Sequence, residues 1–117
     1  MTEKEGCIFC KIARKEVKVE IIEESRNFLA FPDKNPKTEG HTLIIPKKHF
    51  VNILDLPSGL GEELLDIVKK VAEKKLKEGA GGFNLIMNNF PAAGQVVMHA
   101  HLHLIPRKTG EKADFGI

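Results

Sequence analysis

The run Gln95-Val96-Val97-Met98-His99-Ala100-His101-Leu102-His103-Leu104-Ile105 repeats with a period of two and puts a histidine at positions 99, 101 and 103. Read as a β-strand, it sends three imidazoles to one face. Val96, Met98, Ala100, Leu102 and Leu104 then form an apolar row on the other face, suited to burial under a helix or sheet. Alternate side chains on a strand face stand roughly 6.5–7 Å apart, so neighbouring rings can share one small ligand. Five histidines occur in the chain, and three of them lie in this run, which makes the strand half core and half chemistry.

Three uses compete for such a face. A purely structural role would require three polar rings to find partners side by side, where Val or Thr would serve a strand better. Two histidines at i and i+2 with a third nearby also suit zinc or iron, but such sites usually recruit carboxylates as ligand, base or outer support. The preceding stretch Asn88-Asn89-Phe90-Pro91-Ala92-Ala93-Gly94-Gln95 offers amides and glycine and no acid. Amides and free backbone N–H groups suit a phosphate better than a cation.

The rest of the chain sets bounds. Its 117 residues, 42% hydrophobic, suffice for one compact domain over 1–117 and are too few for two. The 18 basic and 16 acidic residues leave a net charge of only +2. They are interspersed, and Lys69-Lys70 and Lys74-Lys75-Lys77 read as a solvated helix face, not a nucleic-acid surface. There is neither Trp nor Tyr to stack on bases. Apolar residues never run to membrane length, so the expectation is a soluble, cytoplasmic protein.

The pattern along the chain predicts an α+β domain: about five antiparallel strands, one long helix across one face, and a short N-terminal helix. The short helix covers 10–14. Strands are expected over 17–23 and 27–31 around Glu24-Ser25-Arg26, then over 41–46, 83–88 and 96–105. A helix starts at about Asp55, with Pro57 in its first turn and Glu62-Glu63 near the positive end of its dipole. Leu60, Leu64, Ile67, Val68, Val71 and Leu76 mark its buried stripe, and Gly79 ends it.

Gly94-Gln95 followed by His99-Ala100-His101-Leu102-His103-Leu104 resembles the signature of the histidine triad family of nucleotide hydrolases and transferases. Cys7-Ile8-Phe9-Cys10-Lys11-Ile12, Phe31-Pro32-Asp33, Gly40-His41-Thr42-Leu43-Ile44-Ile45-Pro46-Lys47-Lys48-His49 and Asn84-Leu85-Ile86-Met87-Asn88-Asn89 match in the family's order and spacing. The likeness runs from about residue 6 to 107, leaving 108–117 as a tail. Within the family it most resembles the bacterial and archaeal members of the purine nucleoside phosphoramidase branch.

The resemblance implies a hydrolase that releases AMP or GMP from phosphoramidate-type substrates. A neutral imidazole keeps a lone pair at pH 7 and can attack phosphorus in line, forming an intermediate that water opens. The resemblance makes His101 the nucleophile, and geometry agrees, because only the middle ring has an imidazole on each side. His103 is expected to hydrogen-bond the phosphate or leaving group beside the N–H groups of Val96 and Val97, and His41 is the family's fourth histidine. Asp33 is implied on the ribose hydroxyls, with a surface acid as the plain alternative. Ile8, Phe9, Ile12 and Phe31 match positions that enclose the purine, although without the resemblance they read as core. Asn88 and Gln95 offer amide donors to the phosphate, or else serve the turn around Ala93-Gly94. Val96 stands where many phosphoramidases of this branch have a hydroxyl residue.

Cys7-x-x-Cys10 is a metal half-site or a redox pair in a cytoplasmic chain. No strand precedes it, as a thioredoxin-like unit would require. The family's zinc-bearing members supply the other ligands from positions that are His49 and His99 here, which implies a structural zinc on Cys7, Cys10, His49 and His99. Many relatives lack the cysteines, so no catalytic metal is expected. The resemblance also implies a homodimer. Competing readings are a dinucleoside polyphosphate hydrolase of the same family, a non-catalytic nucleotide sensor, and a redox or metal-handling protein built on the cysteines.

Overall fold

The computed structural model describes residues 5–111. Five antiparallel strands lie in the order β1-β2-β3-β5-β4: β1 Glu23–Glu24, β2 Phe28–Pro32, β3 Thr42–Pro46, β4 Gly82–Ile86 and β5 Leu102–Arg107. A short helix, α1 (Ile8–Ala13), precedes the sheet, and the long helix α2 (Gly61–Lys77) lies between β3 and β4 in sequence. This is the expected α+β architecture. No helix among the described residues is long and apolar enough to cross a membrane.

Alternation within β2 and β3 builds two core layers. Phe28, Ala30 and Ile44 join Leu104 of β5 and pack under Ile67, Val68, Val71 and Ala72 of α2. Leu29, Phe31, Leu43 and Ile45 face the other way, against Phe9 and Ile12 of α1. Both faces of the central strands are therefore buried, and the side away from α2 is where the histidines gather. At the start of α2, Glu63 accepts from the Ser25 hydroxyl, the Asn27 N–H and the Asn27 side-chain amide, pinning the β1–β2 turn to the helix.

Several expectations need correction. The strand over 17–23 shrinks to Glu23–Glu24, because only the stretch beside Ile22 and Ser25 meets the edge of β2, with Ile22 donating to Ala30 and Ser25 to Phe28. Val17 and Val19 instead pack against the α1 layer of the core. The helix expected from Asp55 begins only at Gly61, after a 3-10 turn over Ser58–Leu60, so Pro57 precedes the helical turns. Asp55 folds back to accept from the Val51 N–H. Leu76 is 45% exposed, and Ala72 and the stem of Lys75 take its place in the buried stripe. Gly79, with φ of 108°, ends α2 as expected.

The largest correction concerns the opening run. Its strand starts at Leu102, not at residue 96, and extends to Arg107. The ladder from β3 stops at Ile44↔Leu102. Ahead of it the chain finds other partners: Ala100 donates to the Phe50 carbonyl at 2.6 Å, and the Gln95 amide holds the carbonyls of Val51 and Val97. Val96 is 87% exposed and Met98 is also exposed, so the apolar row is real only from Ala100 onward. Of the expected tail, residues 112–117 lie outside the described residues.

Candidate active site and metal centre

His41 sits just ahead of β3, and the Leu43↔His103 register brings it to the same sheet face as His103. Their Nε2 and Nδ1 atoms are 3.0 Å apart. The Lys37 backbone N–H donates to His41 Nδ1 at 3.0 Å, which requires a lone pair on Nδ1 and puts the proton of the neutral ring on Nε2. That proton points at His103 Nδ1, so His103 in turn carries its own proton on Nε2. Asp33 Oδ2 lies 3.3 Å from His41 Nε2 and 3.8 Å from His103 Nδ1, while Oδ1 accepts from the Asn35 N–H.

Both rings are neutral at pH 7. Burial pushes His103 down to about 4, helped by neighbouring His101 and His41. Burial also lowers His41, against the opposing pull of the Asp33 carboxylate. Asp33, His41 and His103 stand close enough together to suggest a metal. The Lys37 bond argues otherwise, because it leaves His41 Nε2 protonated and without a pair to give. The Lys37 N–H, His41 and His103 form a hydrogen-bonded relay ending in a donor, His103 Nε2–H, with the Asp33 carboxylate beside it.

His101 has the opposite polarity. Its Nδ1 is 2.8 Å from the His99 carbonyl, which can only accept, so Nδ1 carries the proton and Nε2 holds a lone pair. The ring is wedged edge-on between Phe9 at 5.2 Å and His103 at 5.0 Å between centroids. Sequence reasoning gave His101 an imidazole on each side. The structure gives it one, with Phe9 on the other flank, because the His99 ring turns away and only its carbonyl serves His101.

The His99 ring joins Cys7, Cys10 and His49. Cys7 caps α1 and accepts from the Cys10 N–H, so one helical turn brings both thiols to the same spot. His99 Nδ1 lies 3.3 Å from Cys7 Sγ and 3.5 Å from Cys10 Sγ, and His49 Nδ1 lies 3.3 Å from Cys10 Sγ. All four donor atoms fall within 4.8 Å of one another. Zinc bonds of about 2.3 Å to sulfur and 2.0–2.1 Å to nitrogen imply a tetrahedral S···N edge of about 3.5 Å, so the residues fit the ion. His99 Nε2 donates to the Pro46 carbonyl at 2.8 Å, leaving the Nδ1 pair facing the sulfurs. Burial pushes His99 down to about 4, keeping it a neutral ligand.

The remaining candidates divide. Phe9, Ile12 and Phe31 are buried in the core layer beneath the histidines, whereas Ile8 is 44% exposed. Asn88 is half-buried, and its amide makes no hydrogen bond to another described residue. Gln95 differs: it is 4% exposed, its oxygen accepts from the Phe90 N–H, and its two amide protons go to Val51 and Val97 carbonyls. Its donors are already in use, which favours the turn role. The backbone N–H groups of Val96 and Val97 make no hydrogen bond to another described residue. Sequence reasoning missed Lys37, Pro46 and the His99 carbonyl, because they act through main-chain groups that every residue type carries.

Comparisons with known proteins agree with this geometry. The sequence pattern of the HIT domain matches residues 14–110. An uncharacterized HIT-like protein of Methanocaldococcus jannaschii is 42% identical over 105 residues, covering 90% of this chain and 81% of that one. An adenosine 5′-monophosphoramidase of Candida albicans is 38% identical over 92% of this chain and 74% of its own. Among solved structures, a Zn-bound histidine triad family protein from Mycobacterium smegmatis superposes with a TM-score of 0.84 at 37% identity, over 94% of this chain and 81% of that chain. With its histidine rings on one sheet face and this likeness along most of its length, the chain belongs to the HIT domain family.

Proposed function

We propose that this protein is a nucleotide hydrolase that releases a purine nucleoside 5′-monophosphate, such as AMP, from phosphoramidate-type substrates through a nucleotidyl intermediate on His101. The opposite polarity of two adjacent rings carries the reading: His101 presents a lone pair and His103 presents an N–H, 5.0 Å apart between centroids. A nucleophile beside a donor is what in-line displacement at phosphorus needs.

The His101 Nε2 pair forms a bond to phosphorus while the bond to the leaving nitrogen breaks. The leaving nitrogen keeps the electron pair, is hydrogen-bonded by His103 Nε2–H, and takes a proton from solvent. Water then attacks the adduct, the bond to Nε2 breaks with its pair returning to His101, and a proton goes back to solvent. The N–H groups of Val96 and Val97, with the Asn88 amide, stabilise the phosphate oxygens throughout. Asp33 keeps acceptor capacity for the ribose hydroxyls, and Ile8 with the buried Phe9, Ile12 and Phe31 forms the apolar wall for the purine.

Cys7, Cys10, His49 and His99 would hold a structural zinc, whose part is to fix the chain that enters His101. No chemical step runs through it. Leu65 and Leu76 of α2 and Phe83 and Leu85 of the edge strand β4 are exposed apolar residues, which supports a homodimer through that edge. A cytoplasmic location and the absence of nucleic-acid or membrane partners complete the reading.

The test is AMP release from adenosine 5′-phosphoramidate by the wild type and by His101→Gly. The wild type turns over, and the variant loses turnover by at least about a thousandfold while binding AMP within about tenfold. Full activity in the variant would sink the assignment. Tight AMP binding with no turnover in the wild type would make the protein a sensor instead, and faster cleavage of diadenosine polyphosphates would move the leaving group.

A further inference from the structure

Cys7 is the open corner of the Cys7, Cys10, His49 and His99 cluster. Cys10 and His99 are fully buried and His49 nearly so. Cys7 is only partly buried, and it lines a cavity of about 360 Å³ together with Glu5, Ile8, His49, Val97 and Met98. A small molecule in that cavity lies against Cys7. Glu5 is the only Asp, Glu, Lys or Arg on the lining, so no cation draws in an anion and a neutral reagent enters more readily than a negative one.

The second cysteine stands where it can complete a reaction begun at the first. Cys7 caps α1, and the N–H of Cys10, one turn on, donates to Cys7 Sγ at 3.4 Å. Residues three apart on a helical turn have Cα atoms about 5–6 Å apart, inside the range of roughly 4.4–6.8 Å that disulfides span. Both sulfurs belong to a set of donor atoms within 4.8 Å of one another, so side-chain rotation can join them. A metal ion on this cluster holds both as thiolates, the form that attacks an oxidant.

His99 links the cluster to the active site. Residues 96–101 run ahead of β5 and outside the sheet ladder. The His99 ring ties them to Cys7 and Cys10 on one side and to the Pro46 carbonyl on the other, and its own carbonyl accepts from His101 Nδ1 at 2.8 Å. Dismantling the cluster removes the first of those anchors and loosens the peptide that orients His101.

We infer that Cys7 and Cys10 form a peroxide-sensitive latch on the active site: hydrogen peroxide joins them in a disulfide, the metal centre comes apart, and the hydrolase slows until a dithiol restores the pair. The Cys7 thiolate attacks one peroxide oxygen, the O–O bond breaks, and Cys7 becomes a sulfenic acid as hydroxide departs. The Cys10 thiolate then attacks the Cys7 sulfur; the S–S bond forms, the S–O bond breaks and a second hydroxide leaves. Two electrons pass from the sulfurs to the peroxide, and both hydroxides take protons from solvent to become water. A dithiol reverses the bond by exchange. The two imidazoles that remain are too few to hold a tetrahedral ion. The inference rests on the structural zinc and the hydrolase of the proposed function and adds their regulation.

The experiment treats zinc-loaded protein, its metal content measured beforehand, with a small excess of hydrogen peroxide beside a chromogenic zinc chelator. Thiols are counted, the peptide carrying both cysteines is weighed, and AMP release is followed in parallel. One zinc ion should appear for every two thiols lost, and the peptide should become lighter by two hydrogens. Turnover should fall at least about tenfold in step, the scale of losing a group that supports a site residue from outside. Dithiothreitol with zinc should restore all three. Cys7→His, which keeps a fourth ligand without the exposed sulfur, should hold its zinc through the same treatment, and the wild-type peptide mass decides the point independently of that variant. Zinc and thiols retained under peroxide that fully oxidises glutathione would overturn the latch and leave the metal centre standing. Oxidation confined to Met98, or a disulfide with undiminished turnover, would also overturn it. Protein that carries no zinc before treatment, or never releases AMP, would remove the metal centre or the hydrolase and the latch with it.

Discussion

Replacing Gln95 by Ala separates a structural amide from a substrate-binding one. The buried side chain makes three hydrogen bonds, at 2.8 Å from the Phe90 N–H, 2.5 Å to the Val51 carbonyl and 3.0 Å to the Val97 carbonyl. At about 1 kcal/mol net for each bond, their loss destabilises the fold by about 3 kcal/mol. Releasing Phe90 from its glycine-type conformation returns about 1 kcal/mol, so the net is about 2 kcal/mol. For a chain of this length that lowers Tm by about 8 °C. Gln95→Glu should be worse than Ala, since it turns a carboxylate oxygen towards two carbonyls and buries a charge with no cation. The assay is thermal and urea unfolding at fixed protein concentration, paired with kcat/KM per folded molecule, which should fall by less than about threefold. An unchanged Tm with kcat/KM down a hundredfold or more would refute the reasoning and return the amide to the phosphate.

Three further expectations concern protons and metal. His103 is held at about 4 when folded, below the ordinary 6.5, so the unfolded chain binds more protons between those values. Its contribution to stability is therefore level above about pH 6.5 and falls as pH drops towards 4, by up to about 1.4 kcal/mol per pH unit for this ring; urea midpoints at pH 7, 6 and 5 measure it, and a flat profile contradicts the assignment. The purified protein should carry zinc, detected by metal analysis, and Cys10→Ser should lose it and melt at a lower temperature, because the binding energy of a structural ion is folding energy. Long-range ¹⁵N spectra at pH 7 should show His101 protonated on Nδ1 and His41 and His103 protonated on Nε2; any other tautomer on His101 removes its nucleophilic pair from the site.

The sheet and its long helix were legible because apolar periodicity records which residues can share a face. What periodicity cannot record is whether a partner lies alongside. Residues 96–101 alternate as a strand would, yet run free of the ladder because Gln95 and Ala100 bond to the segment around Phe50 and Val51. Residues 17–22 alternate too, but β2 offers an edge only from Ile22 onward. In the site, the residue types at 7, 10, 41, 49, 99, 101 and 103 pointed to the chemistry. Their tautomers did not, because the Lys37 N–H, the Pro46 carbonyl and the His99 carbonyl set them, and main-chain groups leave no mark in a sequence. Phe90 is hidden for the same reason: nothing in Asn-Phe-Pro announces a positive φ.

The central claim is that His101 Nε2 forms the bond to phosphorus. Rapid acid-free quenching during turnover of adenosine 5′-phosphoramidate, followed by intact and peptide mass analysis, tests it most directly. The account predicts an adenylyl adduct on the peptide that contains His101, appearing before steady-state AMP release and absent in His101→Gly. Turnover with the adduct on another residue, or turnover undiminished in His101→Gly, would contradict it.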